Sequence, residues 1–161
     1  MSHNAVIHAY GLFMIAWSVL ETVIEAAIMK ELQISPPKAI ILTTSMQFRQ
    51  RVSVLSSLLE LSGEDHADAI KLLKKIERDA RRNMLVHGHI IVGVPGQLTF
   101  VKSNITDGYG AKRAAFTAPE LHAHIQRLTG KTDKLQALLN VTDSDIQSIA
   151  DIGISASVPT P

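Results

Sequence analysis

Residues Arg81-Arg82-Asn83-Met84-Leu85-Val86-His87-Gly88-His89 close a strongly periodic stretch, and directly after them the composition turns β-branched. Before this stretch, apolar residues recur at helical spacing. After it, His89-Ile-Ile-Val-Gly-Val and Gln97-Leu-Thr-Phe-Val-Lys form two strand-like runs. They are joined by Pro95-Gly96, a pair suited to a type II turn. The quoted residues thus mark a change from helix to hairpin, and they gather an arginine, an amide and an imidazole beside a glycine.

Toward the N-terminus, the helix ending here is expected over about Asp65 to His87, with Ala69, Leu72, Leu73, Ile76, Ala80 and Met84 on one face. At about 100° per residue, His87 falls on that same face. Asn83 is four residues before His87 and shares its side, while Arg82 flanks the stripe. Asp79, one turn before Asn83, can orient it. Between Ile70 and Ile90, six Lys and Arg stand against two acids. Two explanations remain open: a solvated face with favourable charge near a helix C-terminus, or a phosphate-attracting surface. In the second case Arg78 and Arg81 are substrate-binding candidates.

A further helix is expected over about Pro37 to Leu61, following the Ser35-Pro36-Pro37 start signal. Ile41, Met46, Phe48, Val52, Leu55, Leu58, Leu59 and Leu61 would form its buried side. Gln47, Arg49, Gln50 and Arg51 form a polar cluster within it. Ser62-Gly63-Glu64 is the turn that follows.

The first helix should span about Asn4 to Gln33. Its polar positions gather on one stripe, and the rest is apolar nearly all round, as in a helix surrounded by others. Glu21 and Glu25, four apart, are neighbours. They lie either on a solvated stripe or in a polar site within the bundle. Ser2 to Leu20 contains no Asp, Glu, Lys or Arg. His8, Gly11 and Ser18 interrupt that run, Glu21 and Glu25 follow it, and it lacks a basic leader and a cleavage signature. The expectation is a buried helix, with no membrane.

Toward the C-terminus, Asn104 to Gly110 reads as a loop and Lys112 to Thr117 as a third short strand. Thr117 and Glu120 have capping-box spacing. A fourth helix follows over about Ala118 to Leu139, with Gly130 as a point of bending or splitting. Thr142-Asp-Ser-Asp145 opens a short last helix to about Ile152, and Gly153 to Pro161 is a loose tail. The expected fold is mainly α. It is an up-and-down four-helix bundle in one domain over residues 1–152, with a β-hairpin or small sheet over about 89–117 inserted between helices three and four.

The bulk composition fits this. The chain has 161 residues, enough for one sizeable core. Charged residues make up only 19% and mean hydropathy is +0.15, which suggests apolar surface hidden partly between subunits. The net charge of +1 argues neither for nor against nucleic acid. The absence of cysteine removes disulfide, thiolate and zinc-thiolate chemistry and fits a cytoplasmic protein.

For chemistry, an imidazole near a guanidinium and an amide suits phosphodiester cleavage. The imidazole would move protons near neutral pH, and the guanidinium would stabilise charge on phosphate oxygens. With RNA, the 2′-OH is an internal nucleophile, so neither a metal nor a protein nucleophile is needed. The bland alternative is a core histidine hydrogen-bonded to a neighbour. Metal binding is a third class. His87-x-His89, His122-x-His124 and His8 do not match a zinc pattern, so no metal is expected.

Arg82-Asn83-Met84-Leu85-Val86-His87 resembles the Arg–polar–x–x–x–His signature of HEPN-domain proteins. The order of a long apolar first helix with Trp17, Leu20 and Glu21, a second helix with Phe48, and then the signature helix is similar too. This resemblance covers roughly the first 90 residues and the fourth helix. It implies an all-α bundle that forms a homodimer, with Arg82 and His87 catalytic and Asn83 supporting. Glu21 and Glu25 are weaker substrate-binding candidates. Many such proteins are metal-independent endoribonucleases of toxin–antitoxin or other defence systems. Their partners are RNA and an antitoxin or other regulatory protein, they use no cofactor, and cleavage leaves a 2′,3′-cyclic phosphate. Others are non-catalytic and bind a nucleotide or a protein.

Overall fold

The computed structural model describes residues 3–79, 82–91, 94–104 and 110–155, and at 79, 82, 83, 103, 104 and 153–155 the backbone only. The protein is mainly helical, with one small antiparallel sheet. The helices are α1 (His3–Leu32), α2 (Pro36–Thr44), α3 (Phe48–Leu61), α4 (Ala67–Asp79), α5 (Arg82–Leu85), α6 (Ala118–Leu138) and α7 (Asp143–Ser155). The strands are β1 (His89–Ile91), β2 (Gln97–Asn104) and β3 (Gly110–Thr117). The chain divides into two compact units, one of Met1–Trp17 with Arg78–Thr129 and the other of Ser18–Glu77 with Gly130–Pro161.

The first unit holds the sheet, ordered β1-β2-β3. Pro95 and Gly96 make the turn expected of them. Gln97 N–H donates to the Val94 carbonyl at 3.1 Å, and Gly96 has a φ of 80°, the positive value a type II turn needs at its third residue. In β2 and β3 the large apolar residues alternate, so Leu98, Phe100 and Phe116 are buried on one face. Their rings continue into neighbouring elements. Tyr10 of α1 lies 5.3 Å from Phe100, Phe100 meets Phe116 edge-on at 5.7 Å, and Phe116 meets His124 of α6 edge-on at 5.8 Å. Such tilted pairs match the ring quadrupoles. At the start of α6, Glu120 accepts both the backbone N–H and the hydroxyl of Thr117, each at 2.8 Å. This is the reach-back half of the expected capping box, Glu120 returning to the N–H of Thr117.

The second unit contains α2, α3, α7 and most of α4, with the later parts of α1 and α6. Leu20, Val23, Ile24, Ile28, Leu55, Leu59, Leu73 and Leu135 are buried. At the start of α7, Asp145 accepts the Thr142 N–H and hydroxyl at 2.7 and 2.8 Å, and the Asp145 N–H donates back to the hydroxyl at 3.2 Å. These bonds hold the Asp145 carboxyl below its usual range, with Lys30 assisting at 3.4 Å. Lys30 also donates to the Asn140 carbonyl at the end of α6.

Several expectations are corrected. The single helix over 37–61 is two helices, broken at Ser45-Met46-Gln47. The cause is local competition for backbone groups. Thr43 and Thr44 turn their hydroxyls onto the Ala39 and Ile40 carbonyls at 3.0 and 2.6 Å, and the Gln50 side chain accepts the Gln47 N–H at 2.7 Å to start α3. Ile41 and Leu61, expected on the buried side, are 77% and 83% exposed. The helix expected to reach His87 ends at Leu85; its described parts are α4 to Asp79 and α5 from Arg82. α6 runs unbroken through Gly130, and α7 extends to Ser155, into the stretch expected to be loose. Residues 156–161 and most of the expected loop at 104–110 lie outside the described residues. α1 is enclosed nearly all round only over residues 23–29, where every residue but half-buried Glu25 is buried. Nearer its N-terminus it exposes Ile7, Ile15 and Val19. By length and composition α1 is apolar enough to cross a membrane, and half of its most apolar stretch is buried within the protein.

Candidate functional site

The segment from α5 into β1 is fixed at three points, all within the first unit. Leu85 is buried and anchors the end of α5. The Tyr10 hydroxyl donates to the Leu85 carbonyl at 2.7 Å, satisfying one of the acceptors a helix C-terminus leaves open. Burial pushes the Tyr10 phenol above its ordinary pKa, so it stays protonated as that donor. The Gly88 N–H donates to the Met84 carbonyl at 3.0 Å. A Cβ on Gly88 would press into that same carbonyl oxygen and lie 3.3 Å from the Phe100 Cβ, so only glycine fits this approach of turn to strand.

His87 sits between these anchors, in the turn after α5, and it is exposed. This corrects the helical projection, which put it on the buried stripe. The projection assumes a helix that continues, and α5 stops two residues earlier. His87 is therefore no core histidine. It is a surface imidazole on a tethered turn.

The backbones of Arg82 and Asn83 are helical, in α5 and within the same tethered segment. The side chains of Arg82, Asn83 and Asp79 lie outside the described residues, as do Ala80 and Arg81. Arg78 is exposed near the end of α4, where Lys71, Lys74 and Lys75 are exposed too.

Glu21 and Glu25 belong to the second unit, where Glu25 forms a cluster the sequence did not disclose. Arg51 Nη1 lies 2.7 Å from Glu25 Oε1, and both side chains are mostly buried. The Thr43 hydroxyl lies 3.3 Å from the same oxygen, and Arg51 Nε donates to the Thr43 carbonyl at 3.2 Å. Desolvation holds the Glu25 carboxyl above its ordinary range, and Arg51 and Thr43 oppose that rise. The cluster joins α1, α2 and α3 around a paired charge. Twenty-six residues separate Glu25 from Arg51, so no local spacing links them. The available signal was that a carboxylate on a mostly apolar helix needs a cation.

Sequence reasoning also passed over Lys102, Lys112 and Arg113 on the β2–β3 hairpin. The register places Lys102 directly opposite Lys112, and Val101 opposite Arg113. Lys112 and Arg113 are exposed and Lys102 half-buried, and none of the three makes an ion pair among the described residues. The histidines of α6 are spent differently. His124 packs on Phe116 and lies 3.1 Å from an Arg127 nitrogen, and His122 is exposed. Among the described residues, no group of three His, Asp or Glu side chains is arranged to hold a metal ion.

Comparison with family models, with curated protein sequences and with solved structures finds no match for this chain.

Proposed function

We propose that this protein is a metal-independent endoribonuclease of HEPN type, a homodimeric helical bundle with Arg82 and His87 at its site. The supporting observation is the exposure of His87 on a turn tethered by the Tyr10–Leu85 hydrogen bond and the Gly88–Met84 approach. A general acid or base must reach solvent-borne substrate and must be held in place, and this turn meets both conditions.

In the proposed reaction, His87 takes the proton of an RNA 2′-OH. The 2′-oxygen attacks the adjacent phosphorus, and the P–O5′ bond breaks. The products are a 2′,3′-cyclic phosphate and a 5′-OH, the leaving 5′-oxygen taking back the proton that His87 accepted. Arg82 holds the charge of the phosphate oxygens through the transition state, and Asn83 positions the substrate. Arg78 and Arg81 attract the strand. The expected setting is a cytoplasmic toxin–antitoxin or defence system, with a regulatory protein as partner.

The test is incubation of RNA with the protein in EDTA. Wild type should cut it, and His87→Ala should lose about 10²–10⁴-fold of the rate. Equal cutting by both sinks the proposal. The exposed Ile7, Ile15 and Val19 favour a second reading, a non-catalytic dimer that binds a nucleotide or protein. Wild-type protein that is dimeric in sedimentation and inert toward RNA would select it.

A further inference from the structure

The first unit carries seven Lys and Arg against three Asp and Glu, while the second carries nine against twelve. Six of the seven histidines also belong to the first unit. The near-neutral chain is thus a basic, histidine-rich unit joined to an acidic one, and the overall net charge of +1 describes neither.

Within the basic unit, the far end of the β2–β3 hairpin concentrates positive charge at a cost. Lys102 and Lys112 are directly opposite and point to the same face, with Cβ atoms about 5 Å apart. Directly opposed like charges destabilise a strand pair. Arg113, next along β3, projects from the other face, in the ladder row shared by His89 and Val101. Positive groups therefore flank the hairpin on both faces, with no acid paired to them among the described residues. Continuing the β1–β2 register one residue before His89 brings Gly88 alongside Lys102. The opposed lysine pair thus borders the turn that carries His87.

We infer that the β2–β3 hairpin is a polyanion-binding arm that grips the backbone of single-stranded RNA and feeds it to the His87 turn. The choice of RNA rests on the proposed ribonuclease reading; the binding of a polyanion rests on the hairpin alone. Phosphates seated against Lys102 and Lys112 on one face would relieve their mutual repulsion, and Arg113 offers a separate phosphate contact on the other face. Binding energy gained there would be independent of base sequence.

The test uses the full-length chain with His87→Ala throughout, so that RNA is bound and not consumed. Fluorescence anisotropy of a labelled single-stranded RNA oligonucleotide is measured across a salt series. It is then repeated with Lys112→Thr and Arg113→Thr added, substitutions that keep good strand formers on β3. The added pair should weaken binding on the order of tenfold and lower the slope of log affinity against log salt by about 1.4, for two lost phosphate contacts. Lys112→Thr alone should melt at or above the parent temperature, since it removes the opposed charge. That separates lost binding from lost folding. Unchanged affinity and salt slope in the double variant overturn the inference. So does binding only to phosphatidylserine vesicles, with none to RNA, which would make the arm a membrane contact. Hairpin-dependent RNA binding by a wild type that never cuts RNA in EDTA would leave this inference standing and remove the ribonuclease proposal.

Discussion

Replacing Gly88 by Ala tests the account of what holds the His87 turn. The new methyl would overlap the Met84 carbonyl oxygen and crowd the Phe100 Cβ at 3.3 Å. Neither neighbour is a flexible side-chain end: one is backbone and the other is the root of a fully buried ring. Relief therefore requires the turn to move off α5. That breaks the Gly88 N–H bond to the Met84 carbonyl, worth about 1 kcal/mol. It also disturbs packing at Leu85 and Phe100, for which overpacking typically costs about 1–3 kcal/mol. The expected total is about 2–4 kcal/mol, or a fall in Tm of roughly 4–15 °C for a chain of this size. Scanning calorimetry measures it. Gly130→Ala is the matched control. It lies in α6 with nothing within 4 Å of the methyl that alanine would add, so Ala should stabilise by about 0.5–1 kcal/mol. In the EDTA assay Gly88→Ala should also lose about 10²-fold of any cleavage, because His87 is the adjacent residue. A Gly88→Ala Tm within a degree or two of wild type would refute the reasoning, since the turn would then tolerate a Cβ where contact leaves no room.

Tyr10→Phe keeps the ring against Phe100 and removes only the donor to the Leu85 carbonyl; chemical denaturation should show a loss of about 1 kcal/mol, and no loss would mean water replaces it freely. Arg51→Met removes the cation that opposes the upward shift of Glu25, so the carboxyl should titrate higher still. A folded-state value raised above the unfolded one favours folding below the unfolded value and loses that contribution as pH rises through the folded value. The variant should therefore be more destabilised at neutral pH than in mild acid, and Tm-against-pH curves parallel to wild type would contradict this. Asp145 is the opposite case: its carboxyl is held low, so its contribution is present above the unfolded value and fades as pH falls through the folded one. Asp145→Asn should cost under about 1 kcal/mol at neutral pH, discounted for solvent exposure, with the difference vanishing in strong acid.

The fold features legible in the sequence were those decided within a few residues. Pro95-Gly96 fixed its own turn, Thr142 and Asp145 closed their own cap, and the bounds of α1 followed from its long, mostly apolar helical pattern ahead of Ser35-Pro36-Pro37. The β1–β2 pairing was readable for the same reason, because turn chemistry sets register between adjacent strands, and the third strand expected over Lys112 to Thr117 lies within β3. In the candidate site, the residue types of Arg82 to His87 were visible, and so was their place between helix and hairpin.

What the sequence left open was where each helix stops and which distant charges meet. Helical projection assigns a direction to every residue and has no means of ending. The end of α5 is held by Tyr10, 75 residues away from Leu85, and by Phe100 across the sheet, so tertiary contact put His87 into solvent. The Glu25–Arg51 pair and the opposed Lys102 and Lys112 were equally hidden, since each depends on elements folding back on one another. Chemical kit and local geometry are written in neighbouring residues. Exposure, tethering and the separation of charge between two units come from long-range packing, which no local period encodes.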